Sequence, residues 1–93
     1  MNEAGSINTR MVVGLGMTGL SAARWCQRRG YAFDLCDTRP ALVNIEQIAS
    51  EFPDARIFLG DQVSGELLAS YDQLIVSPGV PLTLPSIQQA VSQ

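Results

Sequence analysis

Met11-Val12-Val13-Gly14-Leu15-Gly16-Met17-Thr18-Gly19 sets a short apolar run directly before a Gly-x-Gly-x-x-Gly turn, and a helical pattern follows at once. Such a segment reads as strand, tight turn and helix. Gly14 permits a backbone turn that a side chain would block. Gly16 lets the main chain approach a ligand, and Gly19 lets the helix pack closely on the strand. The helix then starts with unpaired N–H groups and a partial positive charge facing the turn, which suits a diphosphate. The competing reading is a tight strand–helix connection that holds no ligand.

Working outward, strand and helix patterns alternate. A first strand over about residues 10–14 leads to a helix from Thr18 to Arg29, with Leu20, Ala23 and Cys26 one turn apart and Gly30 as its stop. A second strand runs from Tyr31 to Cys36 and ends at Asp37. Pro40 is expected to open a second helix carrying Leu42, Ile45, Ile48, Ala49 and Phe52 on one face, closed by Pro53-Asp54. Arg56–Gly60 reads as a third strand, Leu67-Leu68-Ala69 as part of a weak helix, and Gln73–Ser77 as a fourth strand. Thr83 and Pro85 look like the start of a final helix with Ile87 and Val91. Strands separated by helices pair in parallel through right-handed crossovers. The expected fold is α/β, a Rossmann-like, doubly wound parallel sheet of about four strands in the order 3-2-1-4, with helices on both faces. Residues 1–93 are expected to form one domain. Because the chain stops in a helical pattern without the later strands of a complete dinucleotide fold, it is expected to be part of something longer.

Composition narrows the chemistry. The net charge is −3, which argues against nucleic acid, where a basic face supplies most of the affinity. Arg24, Arg28 and Arg29 sit late in the first helix, complementing its C-terminal dipole far from the glycine turn. No apolar run approaches the roughly 20 residues that span a bilayer, and Met1–Ser6 has no basic or apolar leader character. A cytoplasmic monomer is expected. Cys26 and Cys36 form no metal-ligand spacing and read as reduced packing residues, with a reactive thiol at Cys36 as the alternative. There is no histidine and no lysine, hence no imidazole base and no P-loop lysine. The chain alone is expected to catalyse nothing.

In a doubly wound sheet, ligands sit outside the carboxyl ends of the strands where the strand order reverses. Three segments should reach that edge: Gly14–Gly19, Asp37-Thr38-Arg39 and Ser77-Pro78-Gly79-Val80-Pro81. Asp37 follows Gly19 by 18 residues, near the spacing at which an acidic residue accepts from a ribose. It could equally accept from a uracil N–H, or form an Asx cap or turn before Pro40. Arg39 suits a phosphate or carboxylate, or simply solvent. Thr18 offers a hydroxyl or N–H to a diphosphate, or an N-cap. The stiff turn at Ser77–Pro81 offers the Gly79 N–H, or is only a rigid turn.

Together the three segments, with Pro85-Ser86 following, resemble the N-terminal domain of the UDP-N-acetylmuramoyl-L-alanine–D-glutamate ligases of the Mur ligase family, over about residues 9–91. The resemblance implies a cytoplasmic enzyme of peptidoglycan precursor synthesis that uses ATP and Mg2+ to join D-glutamate to UDP-N-acetylmuramoyl-L-alanine. It implies that this domain holds the UDP part, while ATP, metal and D-glutamate are bound by domains absent here. Carried over by motif, Gly14 and Gly16 shape the turn, Met17, Thr18 and Gly19 meet the diphosphate, Asp37 and Thr38 hold the uracil with Arg39 beside it, and Gly79 faces the sugar, with Ser77 a further substrate-site residue of the same segment. Met17 departs from the basic or smaller residue expected there, though its N–H would still serve. No catalytic residue and no metal ligand is implied within the chain. Alternatives from the residues are an NAD-binding domain of an oxidoreductase, a sibling Mur ligase, and an interaction domain with an empty crevice.

Overall fold

The computed structural model describes residues 8–78, and its four strands form one all-parallel sheet. They are β1 (Arg10–Val13), β2 (Phe33–Asp37), β3 (Ile57–Leu59) and β4 (Gln73–Val76), ordered β3-β2-β1-β4 as the alternation of elements predicts. Helices α1 (Met17–Arg29), α2 (Ile45–Glu51) and α3 (Gly65–Ala69) make the connections, with a 3-10 turn at Gly60–Gln62 before α3. Val12 lies between Leu35 and Ile75, and Val13 between Cys36 and Val76.

Handedness assigns the helices to faces. The steps from β1 to β2 to β3 move one way across the sheet, whereas the step from β3 to β4 returns past β1. Right-handed crossovers therefore put α1 and α2 on one face and α3 on the other. Packing follows this division. Val12 and Leu35 meet Leu15, Ala23, Leu42, Ile48 and Phe52 on the first face. Met11, Val13 and Cys36 meet Leu68 on the second, with Phe58, Leu67, Leu74 and Val76 around them. A strand buried on both faces needs apolar side chains at every position, which is why Met11-Val12-Val13 does not alternate. Each fully buried aliphatic side chain there contributes about 1.5–3 kcal/mol.

Local chemistry sets the helix ends. α1 stops where the Gly30 N–H turns back on the carbonyls of Cys26 and Gln27. α3 starts at Ser64, whose hydroxyl accepts from the Leu67 N–H at 3.1 Å. Arg24 of α1 pairs with Glu51 of α2 (Nη2–Oε1 3.0 Å), so this arginine ties two helices together and does not merely complement the dipole.

Several boundaries differ from expectation. The second helix does not open at Pro40. Residues 38–44 bend and turn, and α2 begins at Ile45, because Asp37 draws the backbone of Arg39 into a turn that a helix cannot continue. Leu42 still enters the core from that loop, while Ala49 is exposed. Thr18 is not an N-cap, since α1 starts one residue earlier and Gly16 holds the capping position. β2 begins at Phe33, two residues later than the apolar pattern of Tyr31-Ala32 suggests. The helix expected after Thr83 lies outside the described residues. No helix among the described residues is long and apolar enough to cross a membrane.

Candidate functional site

The carboxyl ends of β1, β2 and β4 deliver three segments to one edge of the sheet. Gly14 leaves β1 at φ 97°, a conformation L side chains rarely adopt, while its N–H still donates to Cys36 O at 2.8 Å. The chain thus turns sharply without losing its grip on β2. At Gly19 a Cβ would lie 1.7 Å from the Gly14 carbonyl oxygen, so α1 can approach the strand only through a glycine. In front of Gly16 the space is open, with nothing within 4 Å of where a Cβ would stand.

Gly16 begins α1 without a side-chain cap, and no acidic residue occupies the first turn. The first intrahelical bond runs from the Leu20 N–H to Gly16 O at 2.9 Å, which leaves the N–H groups of Met17, Thr18 and Gly19 ahead of the helical ladder. Met17 is 83% exposed and Thr18 is exposed. This end of the helix presents N–H donors and a positive dipole end, with no carboxylate in its own first turn, a combination that suits an anion.

Asp37 closes β2 beside this turn and is 4% exposed. Its Oδ2 accepts the Leu15 N–H at 2.9 Å and Arg39 Nη2 at 2.8 Å. Its Oδ1 accepts the Arg39 N–H at 2.9 Å and Arg39 Nε at 3.0 Å. Burial alone would raise this carboxyl. The Arg39 guanidinium and the two backbone N–H groups outweigh burial and bring it down to about 2, so it is a carboxylate at neutral pH. The bond to its own i+2 N–H is the Asx turn weighed from the sequence. The bond to Leu15 is one that sequence reading misses, because nothing local marks a contact 22 residues away. Thr38 stands exposed between them, and the Arg39 side chain is 59% exposed on the outer side of its ion pair.

The third segment enters through Ser77, whose N–H donates to Val13 O at 2.9 Å and so places it next to the glycine turn. Gly79 lies outside the described residues. The structure therefore brings Gly14, Gly16, Met17, Thr18, Gly19, Asp37, Thr38, Arg39 and Ser77 to one edge. It also brings Gly60 there, at the end of β3, where a Cβ would come within 3.0 Å of Pro40 Cα. Cys36 is buried, and burial, followed by the charge of Asp37, pushes its thiol up to about 12. It packs in the core with Met11, Val13 and Leu68, an environment that disfavours the reactive thiolate.

A hollow of about 630 Å³ opens at the opposite, amino edge of the sheet, walled by Tyr31, Phe33, Phe52 and Tyr71. Its polar groups serve each other. Asp34 accepts from the Arg56 N–H at 2.7 Å, from the Arg56 guanidinium at 3.2 Å and from the Tyr71 hydroxyl, binding together the starts of β2, β3 and β4.

The family model described as "Mur ligase MurD-like, N-terminal domain" matches residues 8–93. Proteins named UDP-N-acetylmuramoylalanine--D-glutamate ligase are similar to the chain in several bacteria. That of Thiobacillus denitrificans is 41% identical over 83 residues, covering 89% of this chain and 17% of its own length. That of Saccharophagus degradans is 41% identical over 88 residues, 89% of this chain and 19% of its own length. That of Pseudomonas aeruginosa is 34% identical over 93 residues, the whole of this chain and 20% of its own length. The chain spans about a fifth of the length of these relatives.

Proposed function

Because the chain belongs to the family of MurD-like N-terminal domains of Mur ligases, we propose that it holds the uridine-diphosphate half of UDP-N-acetylmuramoyl-L-alanine for a D-glutamate-adding ligase of peptidoglycan synthesis. One observation supports this reading above others: an uncapped helix N-terminus, free of acidic residues, stands beside the Asp37–Arg39 corner at the point where the strand order reverses between β1 and β4. The N–H groups of Met17, Thr18 and Gly19 take the diphosphate, with Gly14 and Gly16 leaving room for its approach. The corner at Asp37, Thr38 and Arg39 receives the uridine side. By the family motif, Gly79 would serve the sugar, with Ser77 leading into that segment.

Chemistry is supplied elsewhere in the parent. Among the described residues no group of three or more His, Cys, Asp or Glu side chains stands together. The chain has neither histidine nor lysine to act as a base or to reach a nucleotide triphosphate. ATP, Mg2+ and D-glutamate would accordingly be bound by parts of the ligase outside these residues. This chain by itself would bind substrate without turning it over.

The test is a nitrogen-15 NMR titration of the chain with UDP, with NADH as the competing ligand. Shifts at residues 15–19, 37–39 and 77–80 are expected with UDP in the millimolar range. Shifts confined to other residues, none at all, or a stronger response to NADH would overturn the reading.

A further inference from the structure

The chain carries six arginines and no lysine. Arg24, Arg39 and Arg56 are ion-paired with Glu51, Asp37 and Asp34. Arg10 is buried, bonded to Gln73 and stacked on the Tyr31 ring with its Cζ 3.8 Å from the centroid. Arg28 and Arg29 remain. Both are exposed, and neither has a carboxylate partner among the described residues. They close α1 at the amino edge of the sheet, beside the single tryptophan. Trp25 is 42% exposed, with the Arg29 guanidinium 5.3 Å from its ring and Tyr31 edge-to-face at 5.4 Å. The uncompensated positive charge of an otherwise acidic chain thus stands around its large exposed aromatic.

We infer that this face is an interaction surface for an acidic segment of a partner protein that carries an apolar anchor residue. Trp, Tyr and Arg are the residues that concentrate binding energy at protein interfaces. Here they are fixed beforehand by stacking on one another, so little side-chain freedom is lost on binding. Charge selects the partner. With a net charge of −3, the chain attracts an acidic segment only where its arginines are not already paired. The helix C-terminus contributes about half a negative charge there, which two arginines outweigh. The anchor also has a place to go. Gln27, Gly30 and Tyr31 line the hollow of about 630 Å³, together with Phe33 and Phe52. Asp34 and Arg56 neutralise each other in its wall, and Asp54 adds a negative charge. An acidic side chain is therefore turned away from the hollow towards Arg28 and Arg29, and an uncharged apolar one is admitted. This surface lies at the opposite edge from the glycine turn, so it goes beyond the UDP site and stands whatever that site binds.

The experiment titrates this chain with the end-blocked peptide Glu-Asp-Glu-Phe-Leu-Glu-Asp-Glu, followed by Trp25 fluorescence and nitrogen-15 NMR. Saturable binding is expected with a Kd of about 10–500 µM and shifts at residues 25–34. Replacing both apolar residues of the peptide by serine, or its acids by Gln and Asn, is expected to weaken binding at least about tenfold. The chain carrying Arg28→Gln and Arg29→Gln together should lose a similar factor, about tenfold, with its urea midpoint unchanged. No saturable binding, shifts confined to residues 15–19 and 37–39, or equal affinity of the double variant would overturn the inference. Tighter binding of a short DNA duplex would assign the arginines to phosphates and overturn it too. Self-association in sedimentation that the double variant abolishes would assign the face to a second copy, with the same consequence. Should the double variant not fold, the peptides still decide: a Gln/Asn peptide that binds as well as the acidic one overturns the inference.

Discussion

Gly19→Ala is expected to destabilise the fold, against the intrinsic preference of a helix for alanine. The new Cβ would stand 1.7 Å from Gly14 O and 2.9 Å from Gly14 C, and 3.7 Å from a methyl of Val12. The opposing atoms are backbone, and Gly14 cannot retreat while its N–H is bonded to Cys36 O at 2.8 Å. Reaching a separation of 3.0 Å requires α1 to move outward by about 1.3 Å. That motion loosens Ala23 and Cys26, both fully buried against the sheet. Overpacking of this severity costs about 3 kcal/mol or somewhat more, and the alanine returns about 1 kcal/mol of helix propensity. The net loss is on the order of 2–4 kcal/mol, against a total of roughly 5–14 kcal/mol for a chain of this size. Gly16→Ala is the control, since nothing lies within 4 Å of its Cβ and its φ of −82° is open to any residue. It should stay within about 1 kcal/mol of the parent while weakening UDP binding. Urea unfolding followed by helical circular dichroism and by the fluorescence of the single Trp25 measures both. A Gly19→Ala chain within about 0.5 kcal/mol of the parent would refute the packing argument.

Three further outcomes are expected. The Asp37 carboxyl lies at about 2 when folded against 3.8 when free, so its contribution is complete above 3.8 and disappears as pH falls through about 2. Discounted for the solvent around Arg39, the loss is about 1–2 kcal/mol, and it should vanish from the difference between parent and Asp37→Asn stabilities measured down that range. Tyr71→Phe removes a hydroxyl donor from the buried Asp34 while leaving Arg56 in place. It should cost about 1 kcal/mol in urea unfolding; an unchanged midpoint would show the contact to be energetically idle. Cys26 and Cys36 are both buried, and burial pushes both thiols up. Neither should react with a disulfide reagent in the native chain and both should in denaturant; rapid native labelling of Cys36 would contradict its packing role.

Much of the architecture was legible because its causes are local. Met11-Val12-Val13 directly before a glycine turn reads as a short strand, Gly14 and Gly19 mark a turn and a close packing, and alternating strands and helices leave few handed topologies. The start of α2 was not legible. Pro40 is a good first helical residue in isolation, and only the Asx turn at Asp37 and the withdrawal of Leu42 into the core delay the helix to Ile45. The same holds for Arg24, which reads as a dipole partner until Glu51 of the neighbouring helix comes within reach.

By itself, then, the sequence determined the strand order and the glycine turn. These follow from side-chain period and from backbone conformations that only particular residues adopt. Which groups an acidic side chain serves was decided by the tertiary structure alone. Asp37 reaches Leu15 across 22 residues, and Asp34 reaches Tyr71 across 37. A buried carboxylate takes whatever donors the neighbouring strands carry to it, and no local pattern records which those are.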